Sequence, residues 1–286
     1  SHHRPSVYAA ILHWRNPDAV LRCISHLRQS AYPVTITVVD NSAHEGSLGD
    51  VGADAIIPMA TNAGYAGGMT AALRAWLNQT SDPFALLLTQ DVIMHGAALE
   101  ELVQVLQMNP NVGIAGPVVL ESGTGAIFSA GGVIRRSLTQ IRQLRVPRDK
   151  EPYPVEWIDG CAMLIRRAAA EEIGEFDERF FMYYEEVDYC VRAGTKGWPT
   201  VVVPQAIASQ DKDALPAPHY FYYSSRNRYL FWSKNYGFSG FRVFTSLVFD
   251  ALRLLRWSLA GTARRATDRT LRWRSLVRHL RGSWRG

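Results

Sequence analysis

Apolar residues gather in short blocks separated by polar and turn-forming residues, and their period changes along the chain. Residues 7–12 and 34–39 are nearly continuous apolar or β-branched runs, of the length expected for strands buried on both faces. Between them Asn16-Pro17-Asp18 predicts a helix start, with Asn as cap, Pro preset for the first helical position and an acid at the positive end of the dipole. Ala19, Val20, Cys23, Ile24 and Leu27 then recur at helical spacing and give that helix one apolar face. Further on, the pattern predicts a short strand at 55–59, a helix at 69–77, a strongly apolar strand at 84–88, a helix at 97–107 and a strand at 112–116. Strands alternating with helices predict a parallel sheet of the doubly wound type. In such sheets ligands bind beyond the carboxyl ends of the strands. That rule gathers Leu12-His13-Trp14, Asp40-Asn41-Ser42 and Thr89-Gln90-Asp91 on one rim.

After Gly116 the helical spacing disappears. Residues 127–134 and 155–165 predict longer strands with no helix between them. Residues 185–196 predict a helix closed by Gly197, residues 200–203 a last strand, and 205–218 a polar, Pro-rich loop. The aromatic run at 220–223 opens a helix through Arg226 to Lys234. Residues 241–260 are apolar apart from a narrow polar stripe of Asp250, Arg253 and Arg256, and 264–285 form a second, basic segment.

Composition refines this picture in one respect. A chain of 286 residues, 47% hydrophobic and 20% charged, is an ordinary folded one with room for a large α/β domain and an appendage. Its net charge of +5 is unevenly spread: residues 241–286 hold eleven Arg and two Asp, a balance of +9, whereas the other 240 residues hold 20 Lys/Arg against 24 Asp/Glu, a balance of −4. This excludes a nucleic-acid binder whose whole body is basic, and no nucleic-acid partner is expected. It predicts a tag remnant or N-terminal extension at 1–6, a main domain at 7–240 and a basic amphipathic helical extension at 241–286. Cys23, Cys161 and Cys190 are odd in number, widely spaced and without a CxxC pair, so neither a disulfide framework nor a zinc site is expected, and a reducing cytoplasm is the expected compartment. No signal peptide is read before the first strand, and with no run of 18 apolar residues no transmembrane helix is expected.

Several positions carry residue types suited to chemistry. Asp40 ends a buried strand, where a carboxylate can accept hydrogen bonds from a base or sugar; Asp-Asn-Ser is also strong turn chemistry. The stretch from Asn62 to Gly68, with Gly64, Gly67 and Gly68, precedes a helix and would let backbone amides approach a diphosphate. It lacks the P-loop lysine and the GxGxxG spacing, so a plain turn into the helix explains it as well. Asp91 suits a hard cation bridging substrate phosphates, since magnesium needs only one or two protein carboxylates; a helix cap is the alternative. Glu185, Glu186 and Asp188 follow an aromatic stretch at 180–184. The helix dipole favours acids there, but three within four residues repel one another, and one set against an aromatic wall would have a raised pKa and serve as a general base. Glu185 and Asp188 share a helix face, while Glu186 points elsewhere. His13 and His219 lack a second His at metal spacing and read as structural residues. Arg226 and Arg228 either hold phosphate or form a solvated helix face, and the aromatics near 220 read as core.

Taken in order, VVDNSA at 38–43, NAGYAGG at 62–68, LLLTQDV at 86–92, WIDGCAMLIRR at 157–167, GEFDERFFMYYEEVDYCVR at 174–192 and YYSSRNRYLFWSK at 222–234 resemble a family 2 glycosyltransferase of the GT-A fold, in its rhamnosyltransferase-like branch. The likeness spans about residues 7–235. It implies an α/β fold in which a Rossmann-like nucleotide-sugar-binding sheet merges with a smaller acceptor-side mixed sheet, followed by C-terminal helices. It also implies inverting transfer of a hexose from a nucleotide-activated donor, a dTDP- or UDP-sugar such as dTDP-rhamnose, to an acceptor hydroxyl or amine. On the matching positions, the resemblance implies that Asp40 binds the donor's base with His13 and Trp14 beside it. Asn62, Gly64, Gly67, Gly68, Thr89 and Gln90 would line the nucleotide pocket, and Arg226 would contact phosphate. Trp157, Asp159 and Gly160 would lie near the donor sugar and acceptor. Asp91 would be the metal-binding end of a DxD-like motif, with Mg2+ or Mn2+ as cofactor. Glu186, the second residue of the family's Glu-Asp pair, would be the catalytic base, supported by Glu185 and Asp188.

The chain departs from the family pattern at three places. Thr89 stands where the family usually has Asp or Asn, Gln210 where many members have a metal-binding His, and Glu186 replaces the usual Asp. The first two predict a weakly held metal that depends largely on the donor's phosphates. They also keep open a non-catalytic nucleotide-sugar-binding or scaffold protein of the same fold. A nucleotidylyltransferase is disfavoured, because His13-Trp14-Arg15-Asn16-Pro17 replaces a glycine- and lysine-rich loop after the first strand. The acceptor is expected to be a lipid-linked cell-wall or polysaccharide precursor, or a soluble natural product such as an antibiotic; the Ala- and Arg-rich composition points to a GC-rich bacterial genome. For residues 241–286 two expectations stand side by side: peripheral contact with an anionic membrane face, or packing on the main domain or on a second copy as a homodimer.

Overall fold

The computed structural model describes residues 6–42, 48–211, 218–237 and scattered positions from 239 to 255. In chain order its elements are β1 (Val7–His13), α1 (Pro17–Leu27), β2 (Val34–Asp40), β3 (Ala55–Pro58), α2 (Gly64–Gln79), β4 (Phe84–Thr89), β5 (Val92–Met94), α3 (Ala98–Met108) and β6 (Ile114–Glu121). They continue with β7 (Ile127–Ser129), β8 (Gly132–Arg135), β9 (Gln140–Gln143), β10 (Tyr153–Val155), β11 (Ala162–Arg166), α4 (Arg167–Ile173), α5 (Glu185–Thr195), β12 (Thr200–Gln210) and α6 (Pro218–Tyr236).

One ten-stranded sheet runs in the order β10-β12-β6-β11-β4-β1-β2-β3, with β5 beside β12 and β7 beside β6; β8 and β9 pair separately. Its first half is parallel: β1 lies between β2 and β4, with His13 opposite Asp40 and Leu12 opposite Thr89. Beyond β4 the sheet becomes mixed. β11 runs antiparallel to both β4 and β6, and β12 runs parallel to β6. The chain divides into two compact units, one of Ser1–Val133, Gln143–Phe181 and Glu185–Lys212, the other of Ile134–Arg142, Met182–Tyr184 and Asp213–Gly286.

The sheet is packed on both sides. Val7, Ala9 and Ile11 of β1 join a buried cluster with Val20 and Ile24 of α1 and Leu102, Val103 and Leu106 of α3. The alternate side chain Leu12 faces α2, where a Cβ on Gly68 would overlap its Cδ1. That contact explains why α2 begins at Gly64 and not near Met69: glycine is a weak helix former, but here only glycine lets the helix lie against β1. Gly64 itself has φ +69°, and a Cβ there would overlap the carbonyl oxygen of Phe181. At α1 local signals and structure agree, with the Asn16 side chain accepting from the amide of Ala19 at 3.2 Å.

Other expectations are corrected by tertiary features. The strand expected at 155–165 is two strands, because Asp159 and Gly160 turn the chain between β10 and β11, with the Cys161 amide donating to Asp159 Oδ1 at 3.1 Å. The strand expected at 127–134 is broken at Gly131, whose φ is +81°. Residues 205–210, expected as loop, continue β12; the register shift between Val203 and Ile207 absorbs Pro204. Residues 212–217 of that expected loop, the extension at 1–5 and all of 256–286 lie outside the described residues. Among the described residues no helix is long and apolar enough to cross a membrane.

Candidate active site at the carboxyl rim of the sheet

The register of β1, β2 and β4 brings the three expected stretches to one edge. His13 is buried, with Nε2 3.8 Å from Asp40 Oδ1 and Nδ1 2.8 Å from Gln90 Oε1. Gln90 also accepts from the Trp14 amide and donates Nε2 to the Trp14 carbonyl, each at 3.0 Å, so its side chain pins the end of β1 to that of β4. This leaves Trp14 as a half-exposed indole, 47% accessible, with the Arg15 guanidinium 5.1 Å from its ring centre. Asp40 Oδ1 accepts from the Ser42 amide at 3.0 Å, the turn chemistry read in the sequence.

The glycine stretch is tied to the same edge by an amide pair. Asn41 Nδ2 donates to Asn62 Oδ1 at 2.9 Å, Asn62 Oδ1 also accepts from the Gly64 amide at 2.9 Å, and Asn41 Oδ1 accepts from the Ala63 amide at 2.9 Å. Asn62 therefore uses its oxygen to shape the turn that Gly64, Gly67 and Gly68 continue. Asn41, given no role from the sequence, is the partner that makes this shape.

The acids come from three distant segments, and a fourth supplies Gln210. Asp91 follows β4; Gln210 Nε2, from the end of β12, donates to its Oδ2 at 3.1 Å. Burial raises the pKa of Asp91, hydrogen bonds from Thr89 and Gln210 oppose the rise, and the charge of Asp159 adds to it. Asp159 holds its own turn and accepts from Gln143 Nε2 at 3.2 Å. Next to it Gly160 is closely packed, since a Cβ would sit 3.1 Å from Tyr65 Oη and 3.2 Å from Glu186 Cβ. Tyr65 donates its hydroxyl to the Gly160 carbonyl at 2.5 Å, and its ring meets Phe176 edge-on. Trp157 is buried, and its indole takes the space a side chain on Gly132 would need.

Glu186 sits in the first turn of α5, partly exposed, with Oε2 buried and without a hydrogen-bond partner among the described residues. Burial, followed by the charges of Glu185 and Asp159, holds its pKa well above the usual carboxylate range. Its neighbours differ from it. Glu185 is buried, and Asp188 is fully buried in an ion pair with Arg192 Nε at 2.9 Å. Arg192 in turn donates to the carbonyls of Ile173 and Glu175, both at 2.7 Å, so Asp188 anchors α5 to the end of α4. The three acids thus separate into one partly exposed residue and two buried ones.

No group of three or more His, Cys, Asp or Glu converges in the manner of a metal cage among the described residues. The donor set fits a divalent cation only as a one-carboxylate site. Asp91 is partly exposed at the rim and would hold such an ion, with the remaining ligands from substrate oxygens and water.

Residues 4–234 match the family described as Glycosyltransferase like family 2. The chain belongs to this family. Among its relatives, the N-acetylglucosaminyl-diphospho-decaprenol L-rhamnosyltransferase of Mycobacterium tuberculosis (strain H37Rv) is 26% identical over 204 residues, covering 61% of this chain and 65% of that protein. The low-salt glycan biosynthesis hexosyltransferase Agl10 of Haloferax volcanii is 30% identical over 185 residues, covering 59% of this chain and 57% of that protein. The chain therefore spans less than two thirds of the length of either relative. In structure it resembles the mannosyltransferase PcManGT of Pyrobaculum calidifontis, solved with GDP-Man and Mn2+, at TM-score 0.61 and 12% identity over 99% of this chain and 88% of that one. GalNAc-T7, solved with UDP, GalNAc and Mn2+, gives TM-score 0.62 at 13% identity over 76% of this chain and 46% of that one. The fold is GT-A, and the chain is a family 2 member of rhamnosyltransferase-like type.

Within this GT-A frame the first compact unit contains every residue to which the resemblance gave a site role except Arg226, and His219 and Arg228 also lie in the second unit. Arg226 lies on α6 in the second unit, where Nε donates to Asn227 Oδ1 at 2.8 Å and the guanidinium covers the Tyr223 ring at 5.1 Å. Four residues at this site received no role from the sequence: Asn41, Tyr65, Gln143 and Cys161, the last of them buried beside Asp159. Of these only Tyr65 carried a usable signal, as a large aromatic among glycines where every other residue is small.

Proposed function

We propose that this family 2 protein is an inverting glycosyltransferase with Glu186 as its general base. The observation that carries the reading is Glu186, a partly exposed residue beside Asp159 and Gly160 whose carboxylate has a buried, unpartnered Oε2 among the described residues and a raised pKa. A carboxylate in that condition takes a proton from an acceptor hydroxyl or amine more readily than an ordinary one, because its basicity is closer to neutral pH. In a single displacement the acceptor oxygen or nitrogen bonds to the anomeric carbon, the bond from that carbon to the phosphate oxygen breaks, and the nucleoside diphosphate departs with the electron pair. The proton goes to Glu186. Attack from the side opposite the leaving group inverts the anomeric centre.

The remaining residues receive roles by position. Trp14, Asp40 and the turn from Asn62 to Gly68 bind the nucleotide, with His13 and Gln90 holding that edge in shape. A Mg2+ or Mn2+ held by Asp91 would offset charge building on the diphosphate. The donor is a dTDP- or UDP-hexose, with rhamnose favoured as the sugar by the name of the mycobacterial relative, and that name's diphospho-decaprenol favours a lipid-linked acceptor. A cell-wall or antibiotic setting follows from the acceptor. Exposed Phe241, Phe244, Val248, Leu252 and Leu255, with the +9 balance of residues 241–286, support peripheral contact with an anionic membrane face. The test is release of nucleoside diphosphate from a panel of dTDP- and UDP-sugars by the purified chain, with and without acceptor. Release with one donor that stops in Glu186→Gln is expected. Binding of that donor with no turnover under any acceptor supports the non-catalytic reading in its place.

A further inference from the structure

Among the described residues, three of the five non-glycine positions with positive φ fall just ahead of α5: Phe181 at 63°, Tyr183 at 70° and Tyr184 at 75°. The left-handed region is unfavourable for residues with a bulky side chain, so such a run persists only where its surroundings over-determine it. Within the second unit Asn227 bears directly on this segment. Asn227 of α6 is fully buried and donates both hydrogens of its amide to this segment, one to the Met182 carbonyl and one to the Tyr183 carbonyl, each at 2.7 Å. Its remaining polar atom, Oδ1, accepts from Arg226 Nε at 2.8 Å, so that the donor end of the amide is turned towards the two carbonyls. Ring contacts within the same unit add to the hold, with Tyr184 5.6 Å from Phe231 and Tyr183 stacked on His219.

Tyr184 runs by one peptide bond into Glu185 and by two into Glu186. A segment released from these dihedrals would rotate the first turn of α5 and with it the Glu186 carboxylate. We propose that Asn227 is a positioning residue, which clamps residues 182–184 in their strained form and so sets the bearing of Glu186, with Arg226 as the group that orients the clamp. This rests on Glu186 being the base. It also gives Arg226 work that needs no phosphate.

The test uses Asn227→Ala and Asn227→Asp in the full chain, read by hydrogen–deuterium exchange, donor affinity and turnover. Asn227→Asp keeps the shape but removes the amide hydrogens. Both variants are expected to speed exchange in the peptide covering 181–187 while leaving β1 and β4 unchanged, and to lower kcat roughly 10- to 100-fold with donor Kd within about threefold. Unchanged exchange at 181–187 overturns the clamp. Faster exchange spread evenly over the chain also overturns it, because the residue then supports the fold and not this segment. Faster local exchange with normal kcat overturns the link to Glu186. Exchange judges the clamp independently of the base: if Glu186→Gln keeps its turnover, the base assignment falls while the exchange result stands.

Discussion

The two sides of the candidate site are built in different ways. On the β1–β2–β4 edge the shape comes from neighbouring strand ends, whose register aligns His13, Asp40 and Thr89, and from short-range amide contacts by Gln90, Asn41 and Asn62. These contacts satisfy polar groups and leave little tension. The acid side is assembled from the end of β4, the 159–160 turn, α5 and the end of β12, and it concentrates buried carboxylates whose charges oppose one another. One edge is a stable cradle, and the other stores unfavourable electrostatics beside a strained backbone. Functional groups with raised pKa values gather where such opposition is tolerated.

The sharpest way to break this contrast is Glu186→Gln, expected to lower turnover by roughly 100- to 10,000-fold with donor affinity retained. A near-normal rate would remove Glu186 from the role of base. The same substitution should stabilise the protein at neutral pH. A carboxylate with raised folded pKa contributes stability below the ordinary carboxylate range and loses it as pH rises through that raised value. Glu186→Gln should therefore raise Tm at pH 7 and above, with the gain vanishing in acid; thermal scans at several pH values check it. In the wild type, the acid limb of kcat/KM is expected above the usual carboxylate range, since the base is lost as pH falls through its raised pKa. A limb near pH 4 would contradict this.

Asp188→Asn tests the opposite character within the same helix. It breaks a buried ion pair with Arg192, so a loss of about 1–3 kcal/mol in stability is expected, measured by denaturant unfolding, with the acid limb unmoved. If that limb shifts as far as the turnover of Glu186→Gln implies, the division of labour between the acids is wrong. EDTA should abolish turnover and Mg2+ or Mn2+ restore it; full activity in EDTA would sink the metal role of Asp91. The smallest effect is reserved for Gln210→His, which exchanges a neutral donor to Asp91 for an imidazole able to bind a cation, and should tighten Mn2+ dependence by about tenfold or less. Metal titrations of the rate read it directly.

Legibility followed the same division. The β1–β2–β4 edge was readable because each strand is a local apolar run and the end of a parallel strand is a fixed place for ligands. Asp40, Asn62 and Asp91 could be named from that rule and from turn chemistry. The partners of the acids were not, since nothing local links Tyr65 to Gly160, Gln143 to Asp159 or Asn227 to Met182. Residues 205–210 were read as loop after a strand at 200–203, and only the pairing of β12 with β6 shows the irregularity that carries the strand on to Gln210 and brings it to Asp91.

By itself the sequence determined the parallel half of the sheet, the rim it creates, the order of family-like stretches and the concentration of acids at the start of α5. These depend on periodicity, capping and turn chemistry, which act over a few residues. Tertiary structure decided the antiparallel insertion of β11, the early start of α2 against Leu12, and which of the three neighbouring acids stays partly exposed. Burial and the charge of distant neighbours set those outcomes, and both exist only once segments far apart in the chain are packed together.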